Sequence, residues 1–264
     1  MLRVHDTLEE SFRRHAPALK SFLYRMTASE QDAEDLVSET YLRAAEKLEL
    51  FERKSSFKTW LFTIATNLAR DHYRAQRRWS VYAQDQAKAK GAARVLSEDL
   101  RAHQRADPEI QFEMREHIDF CFTCMMKTLP LLEQIVLMLA NIYDFQVSEI
   151  AVIVDKSEAS VKHLLRQARN TMKEIFENRC ALVSKQGVCY QCSELNGILN
   201  PKQSSQVELL KLELVKQAKK DSTDQLGLLD LRLELIRGIS PTDGKNAALQ
   251  QSHMRMLRAA IQDD

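Results

Sequence analysis

Between Arg53 and Arg78 the chain sets Arg53, Lys54, Lys58, Arg70, Arg74, Arg77 and Arg78 against a single acid, Asp71. Arg70, Arg74 and Arg77 recur at spacings of four and three, so a helix carries them on one face. Guanidinium groups at that pitch can follow a phosphate backbone. Phe57, Trp60, Phe62 and Tyr73 are interleaved with the bases. Unpaired nucleobases stack on such rings and on Arg planes. The preceding stretch is the opposite. From Ala28 to Glu52 the acids Glu30, Asp32, Glu34, Asp35, Glu39, Glu46, Glu49 and Glu52 face only Arg43 and Lys47. One element therefore offers carboxylates to a basic partner, and the next offers guanidinium groups to an anionic one. The same composition also suits a solvated charged hairpin with aromatic core residues, and Trp60 lies on the apolar stripe as a core residue would.

A second constellation lies near the middle. Leu129-Pro130 opens an apolar helix carrying Leu131, Leu132, Ile135, Val136, Met138 and Leu139, and Asp144-Phe145 breaks it. Ser148 is placed to cap a short helix from Glu149 to Val154, Asp155-Lys156 makes a turn, and Ser157 caps a helix that runs past Arg169. Ile150, Val154, Val161, Leu165 and Ala168 fit a two-helix core. This is the pattern of a helix-turn-helix, whose second helix enters the major groove with its N-terminal residues at the base edges. That helix carries Lys162, His163, Arg166, Arg169 and Lys173, with Glu158 in its first turn. The acid suits the helix dipole and can accept from a cytosine amino group. Helical hairpins that bind no DNA share this pattern.

The thiols form two C-x-x-C pairs, Cys121/Cys124 and Cys189/Cys192, with His117 four residues before the first and Cys180 upstream of the second. Four thiolates can hold one structural zinc in a tetrahedral site. Their wide separation and the apolar, helical setting of Cys121 and Cys124 equally suit buried structural thiols, and a redox-sensing pair is a third reading. No cofactor is otherwise required.

The elements that position these groups read as helices. With only 6 Gly and 5 Pro in 264 residues, the turns of an all-β chain are not there, and the expected class is all-α. The expected division is 1–78 as a first helical domain, 79–108 as a flexible linker of small and charged residues, 109–178 as the helix-turn-helix domain, 179–203 as a Cys-containing loop, and 204–264 as a helical extension. The extension shows apolar stripes, Val207, Leu210 and Leu214, then Leu226, Leu229, Leu233 and Ile236. Ser240 to Gly244 separates them from a last helix near Ala247 to Ile261. The net charge of +1 conceals the segregation of acid and base described above. No signal peptide and no stretch near the ~20 apolar residues of a membrane span is visible, so a cytoplasmic protein is expected.

Three regions carry a resemblance. Asp32-Ala33-Glu34-Asp35-Leu36-Val37-Ser38-Glu39-Thr40-Tyr41-Leu42-Arg43-Ala44 resembles the core-polymerase-binding helix of extracytoplasmic-function sigma factors. Ser56 to Arg74, through Phe57, Trp60, Asn67, Arg70 and Tyr73, resembles their promoter-melting helix. Glu149-Ile150-Ala151, Ser160-Val161-Lys162 and Gln167-Ala168-Arg169 resemble their upstream-promoter-reading module. Departures are Ala45 where the family often has Trp, Ala159-Ser160 for its usual Gly-Thr, and His163-Leu164 for its common Ser-Arg, which puts one DNA contact and any borrowed promoter preference in doubt. The resemblance implies that Asp35, Ser38, Glu39 and Arg43 face core RNA polymerase. It implies that Arg53, Lys54, Ser55 and Ser56 form a loop capturing a flipped base of the downstream element, where unstacking costs a few kcal/mol. Asn67, Arg70, Arg74 and Arg77 would line the path of the separated strand. Ser157, Glu158, Ser160, Lys162, His163, Arg166 and Arg169 would read the upstream duplex.

The expected function is that of a sigma factor, with core RNA polymerase, duplex promoter DNA and the melted strand as partners, and an anti-sigma protein as a further one. A stand-alone helix-turn-helix regulator is the alternative, and it has no need of a melting helix. A thiol or metal enzyme has only the Cys pairs to support it, so no catalytic residue is expected. The C-terminal extension reads as a small helical cap, or as an internal inhibitor taking the place of an anti-sigma protein.

Overall fold

The computed structural model describes residues 7–52, 54–74, 79–80, 114–179, 229–230, 233, 236–237, 240–244 and 247–262. Among the described residues every α or β element is helical, as expected: α1 Leu8–Thr27, α2 Glu30–Glu46, α3 Phe57–Arg74, α4 Met114–Met126, α5 Leu131–Asn141, α6 Val147–Val154, α7 Glu158–Arg179 and α8 Ala247–Gln262. A single 3-10 turn, Leu48–Leu50, follows α2. None of the described helices is long and apolar enough to cross a membrane. The linker 81–108, the stretch 180–203 and the apolar positions Val207, Leu210, Leu214 and Leu226 lie outside the described residues.

The first module is α1, α2 and α3. Thr7 and Glu10 cap α1 reciprocally, each side chain bonding the other residue's backbone N–H at 3.2 and 3.0 Å. Ala28 takes the left-handed conformation, φ 56°, and ends α1; Ser29 then caps α2 through the Asp32 N–H at 3.2 Å. This two-residue corner folds α2 back on α1. Leu19, Phe22, Leu23 and Met26 meet Ala33, Leu36 and Ala44, and α3 closes the core with Leu61, Phe62, Ala65 and Ala69.

The second module is α4 to α7. Every residue from Glu133 to Leu139 is buried, so α5 is the central helix, packed on all sides. Asp144, φ 57°, breaks it. The next helix begins two residues earlier than the sequence suggests. Gln146 occupies the N-cap and Glu149 accepts its backbone N–H at 3.0 Å. Ser148 is exposed and does not cap, because a carboxylate at the third helical position already satisfies the cap N–H. Asp155, φ 53°, makes the turn, and Ser157 caps α7 through the Ser160 N–H at 3.2 Å, as expected.

The two modules do not stand apart. Their apolar residues form one continuous core. Across the seam Tyr143 packs on Phe22 and Phe62 with ring centroids 5.7 and 5.6 Å apart, and Phe145 packs on Phe62 at 4.8 Å. Arg25 of α1 pairs with Asp119 of α4 at 2.7 Å and donates to the Tyr143 hydroxyl at 2.7 Å. Both members of the ion pair are sealed from water, at 0% and 1% exposure. Burial pushes the Asp119 carboxyl upward and the guanidinium pulls it back. Such a pair is weak evidence for net stability, but removing one member costs about 3–5 kcal/mol. Gln134 donates to the Tyr73 hydroxyl at 3.1 Å. Lys58 Nζ donates to the Tyr143 carbonyl at 2.7 Å and lies 4.2 Å from the Phe145 ring centre.

The described part of the extension rests on both modules. Leu229, Leu233 and Ile236 are buried in the shared core. Met254 and Leu257 of α8 are fully buried in a second cluster with Ala28, Phe120, Cys124 and Trp79. Trp79 opens the segment expected as linker, yet it is buried. Gly244, in the turn before α8, lies against the carboxylate end of the Glu116 side chain of α4.

Candidate nucleic-acid and polymerase interface

The N-terminal half of α7 separates two faces by helical spacing. Val161, Ala168 and Met172 point into the core. Ser157, Glu158, Ser160, Lys162, His163 and Arg166 are exposed, and Arg169 is half-buried. Ser157 has one task already, as the cap of α7, and its hydroxyl also lies 2.9 Å from that of Ser160. Arg166 lies 3.3 Å from His163 Nδ1. Arg169 is engaged by the extension, in an ion pair with Asp230. The helix therefore presents polar, solvent-facing first two turns carrying Glu158, Lys162 and His163, with Arg166 just beyond, and this is the part that reaches base edges in a helix-turn-helix.

On α2, Asp35, Ser38 and Arg43 are exposed and Glu39 is at the rim of exposure. Arg43 is held along the helix by Glu39 at 2.8 Å and Glu46 at 3.7 Å, and the Ser38 hydroxyl donates to the Glu34 carbonyl at 3.0 Å. The acidic face is thus a pre-ordered surface with its one base partly neutralised. Leu42 stands 55% exposed on the same helix and Leu50 74% exposed just beyond it, apolar points on a charged surface.

The loop before α3 is only partly described. Lys54 and Ser56 are exposed and Ser55 is half-buried; Arg53 lies outside the described residues. Ser56 is the N-terminal cap of α3, accepting the Thr59 N–H at 3.0 Å. On α3 itself Asn67 is exposed and Arg70 half-buried, three residues apart on one face. Arg74 belongs to the helix but its side chain lies outside the described residues, as does Arg77. Phe57, Phe62 and Tyr73 are core residues, and Trp60 is partly buried, stacked on Phe51 with centroids 4.8 Å apart. These rings brace the hairpin rather than standing free for stacking.

Cys121 and Cys124 are both buried on α4. The described residues hold no group of three or more His, Cys, Asp or Glu side chains suited to a metal ion. Cys189 and Cys192 lie outside the described residues. Lys127, one turn beyond Cys124, is 2% exposed and its Nζ has no hydrogen-bond partner among the described residues. Burial, with a smaller contribution from Arg258 opposed by Cys124, pulls its pKa down to about 7.

Several residues with work to do gave no signal in the sequence. Thr59, fully buried, donates to Glu149 at 2.9 Å, so one carboxylate serves both the α6 cap and the seam between modules. Arg258 reaches Asp32 at 2.9 Å, with His72 at 3.5 Å on the same oxygen. None of these pairs is local, and no spacing rule links them.

Two family models match the chain: Sigma-70 region 2 over residues 11–78, and Sigma-70, region 4 over residues 119–172. The ECF RNA polymerase sigma factor SigG of Mycobacterium tuberculosis is 33% identical over 176 residues, 63% of this chain and 47% of its own length. RNA polymerase sigma factor CarQ of Myxococcus xanthus is 41% identical over 101 residues, 37% of this chain and 58% of its own. The ECF RNA polymerase sigma factor EcfG of Rhodopseudomonas palustris is 27% identical over 171 residues, 65% of this chain and 86% of its own. The chain spans about half the length of the first of these relatives. Among solved structures, the sigma factor RpoE in complex with the anti-sigma factor NepR from Bartonella quintana gives a TM-score of 0.45 at 20% identity, over 64% of this chain and 96% of that one. The matched regions coincide with the two helical modules and follow the same order along the chain, and on these grounds the protein belongs to the extracytoplasmic-function group of the sigma-70 family.

Proposed function

We propose that this protein is a sigma factor that binds core RNA polymerase, reads two promoter elements and helps open the DNA between them and the start site. The observation that carries this reading is the pairing of two different charged surfaces in one chain. One is the exposed acidic face of α2 with Asp35, Ser38, Glu39 and Arg43, suited to the polymerase. The other is the α7 face of the exposed Ser157, Glu158, Ser160, Lys162, His163 and Arg166 with the half-buried Arg169, suited to upstream duplex DNA. The loop Arg53 to Ser56 and the α3 face of Asn67, Arg70, Arg74 and Arg77 take the downstream element and the separated strand. Phosphate contacts supply affinity and position; the base-edge contacts of α7 supply sequence preference. The chain itself performs no bond chemistry, which belongs to the polymerase, and it acts in the cytoplasm where the polymerase is.

Run-off transcription tests this. Core RNA polymerase and a library of promoter fragments are incubated with and without the chain. Defined transcripts that require the chain are expected. A chain that shifts duplex DNA yet never binds core polymerase would be a stand-alone regulator instead.

A further inference from the structure

The extension meets the two modules at their charged functional faces, and in each place it supplies the opposite charge. Asp230 pairs with Arg169 of α7, a guanidinium on the helix assigned to upstream DNA. Its carboxylate takes up a guanidinium that the sigma-factor reading offers to DNA. Arg237 donates to the Asn141 carbonyl at 2.8 Å and lies 3.3 Å from Asp144, at the end of α5 beside the helix-turn-helix. At the other pole Arg258 of α8 holds Asp32 in the first turn of α2. Asp32, Asp35 and Glu39 follow one another at spacings of three and four, so Arg258 occupies the start of the face assigned to the polymerase.

These contacts are anchored by apolar burial. Leu229, Leu233 and Ile236, at spacings of four and three, fill the core that the two modules share. Met254 and Leu257 lock α8 against Ala28 at the α1–α2 corner and Phe120 of α4. A segment fixed at both ends in this way also holds the two modules in their packed arrangement, in which α6 lies against α3.

Resting on the sigma-factor reading above, we propose that the C-terminal segment is an internal competitor: Asp230 stands in for DNA on α7, Arg258 stands in for the polymerase on α2, and both must be displaced before either partner binds. The coupling is reciprocal. Polymerase taking α2 from α8 loosens the segment and raises the affinity for DNA, and DNA does the same for polymerase.

The test uses the full chain, because truncation would strip the cover from Phe120, Trp79 and the shared core. The charge-reversing double variant D230K/R258E is compared with the natural chain, and the milder D230N/R258Q serves if the reversal disturbs folding, as read by thermal unfolding. Affinity is measured for core RNA polymerase and, separately, for a duplex selected from a promoter library. An apparent affinity scales with the fraction of molecules in the open state. At least about fivefold tighter binding of both probes by D230K/R258E is expected, with a smaller gain in the same direction for D230N/R258Q. Polymerase binding by the variants alone supports the proposal in the same way. Equal affinities across the three chains, with polymerase bound by all, overturn the competitor and leave the sigma factor standing. Failure of all three to bind core polymerase overturns both.

Discussion

At the scale of single residues, the start of α7 makes the sharpest forecast. Lys162 and Arg166 are exposed, four apart, on the face opposite Val161 and Ala168. Replacing either by Ala should weaken binding to the upstream duplex. If the side chain reaches a base edge, the loss is about 1–3 kcal/mol and preference relaxes at one position; if it reaches a phosphate, the salt slope falls by about one. A titration of duplex binding at two salt concentrations separates the two. This face was legible in the sequence because burial and exposure alternate within one element. Lys127 was not. It ends an apolar helix and reads as a surface cation, yet it is enclosed by packing from α3, α4 and α8. Its folded pKa of about 7 lies below the usual 10.5, so between those values the native state binds fewer protons than the unfolded one. Stability from this group therefore rises with pH across that window and is lost on acidification toward 7. Lys127→Met should raise unfolding free energy at neutral pH by on the order of 1–3 kcal/mol and flatten the rise between pH 7 and 10. Urea unfolding at both ends of the window checks this, and a steeper rise in the variant would contradict the sign.

At the scale of elements, the seam between modules turns on Arg25 and Asp119. Arg25→Met leaves a buried carboxylate whose main partner is gone and should destabilise by about 3–5 kcal/mol. Arg25→Met together with Asp119→Leu should recover most of that loss, since a buried pair replaced by apolar groups is often neutral. A double-mutant cycle by denaturant unfolding gives the coupling directly. Helix boundaries were largely legible, because caps and breakers are local: Ser157, Asp155 and the apolar run after Pro130 all behave as their types require. Ser148 misled because Ser is a good cap in general. Only the competing carboxylate of Glu149, itself held by Thr59 of the other module, decides the matter. The seam was not legible for the same reason. Its hydrogen-bonded partners lie 61 to 122 residues apart, and each, read alone, is an ordinary core residue or a surface polar group.

At the scale of the whole molecule, two modules that would read separated DNA elements share one core, so reading both requires the seam to part. Arg25→Glu places like charges face to face in a sealed site and should expand the free chain, seen as a larger radius of gyration in small-angle scattering. An unchanged radius would mean that the aromatic contacts of Tyr143, Phe62 and Phe145 hold the modules together without the ion pair. Order along the chain was legible; the arrangement in space was not, since nothing in an amphipathic helix specifies which of several apolar faces it will meet.

The clasp between Asp32 and Arg258 joins residues 226 positions apart. On a ribosome, both modules are complete once α7 has emerged, while Arg258 is still unmade. At ~5–20 residues per second the intervening stretch takes several seconds to synthesise. During that interval the nascent chain exposes its acidic and basic faces with no internal occupant. A polymerase close to the translating message would then meet the protein in its most receptive form, before the clasp can shut.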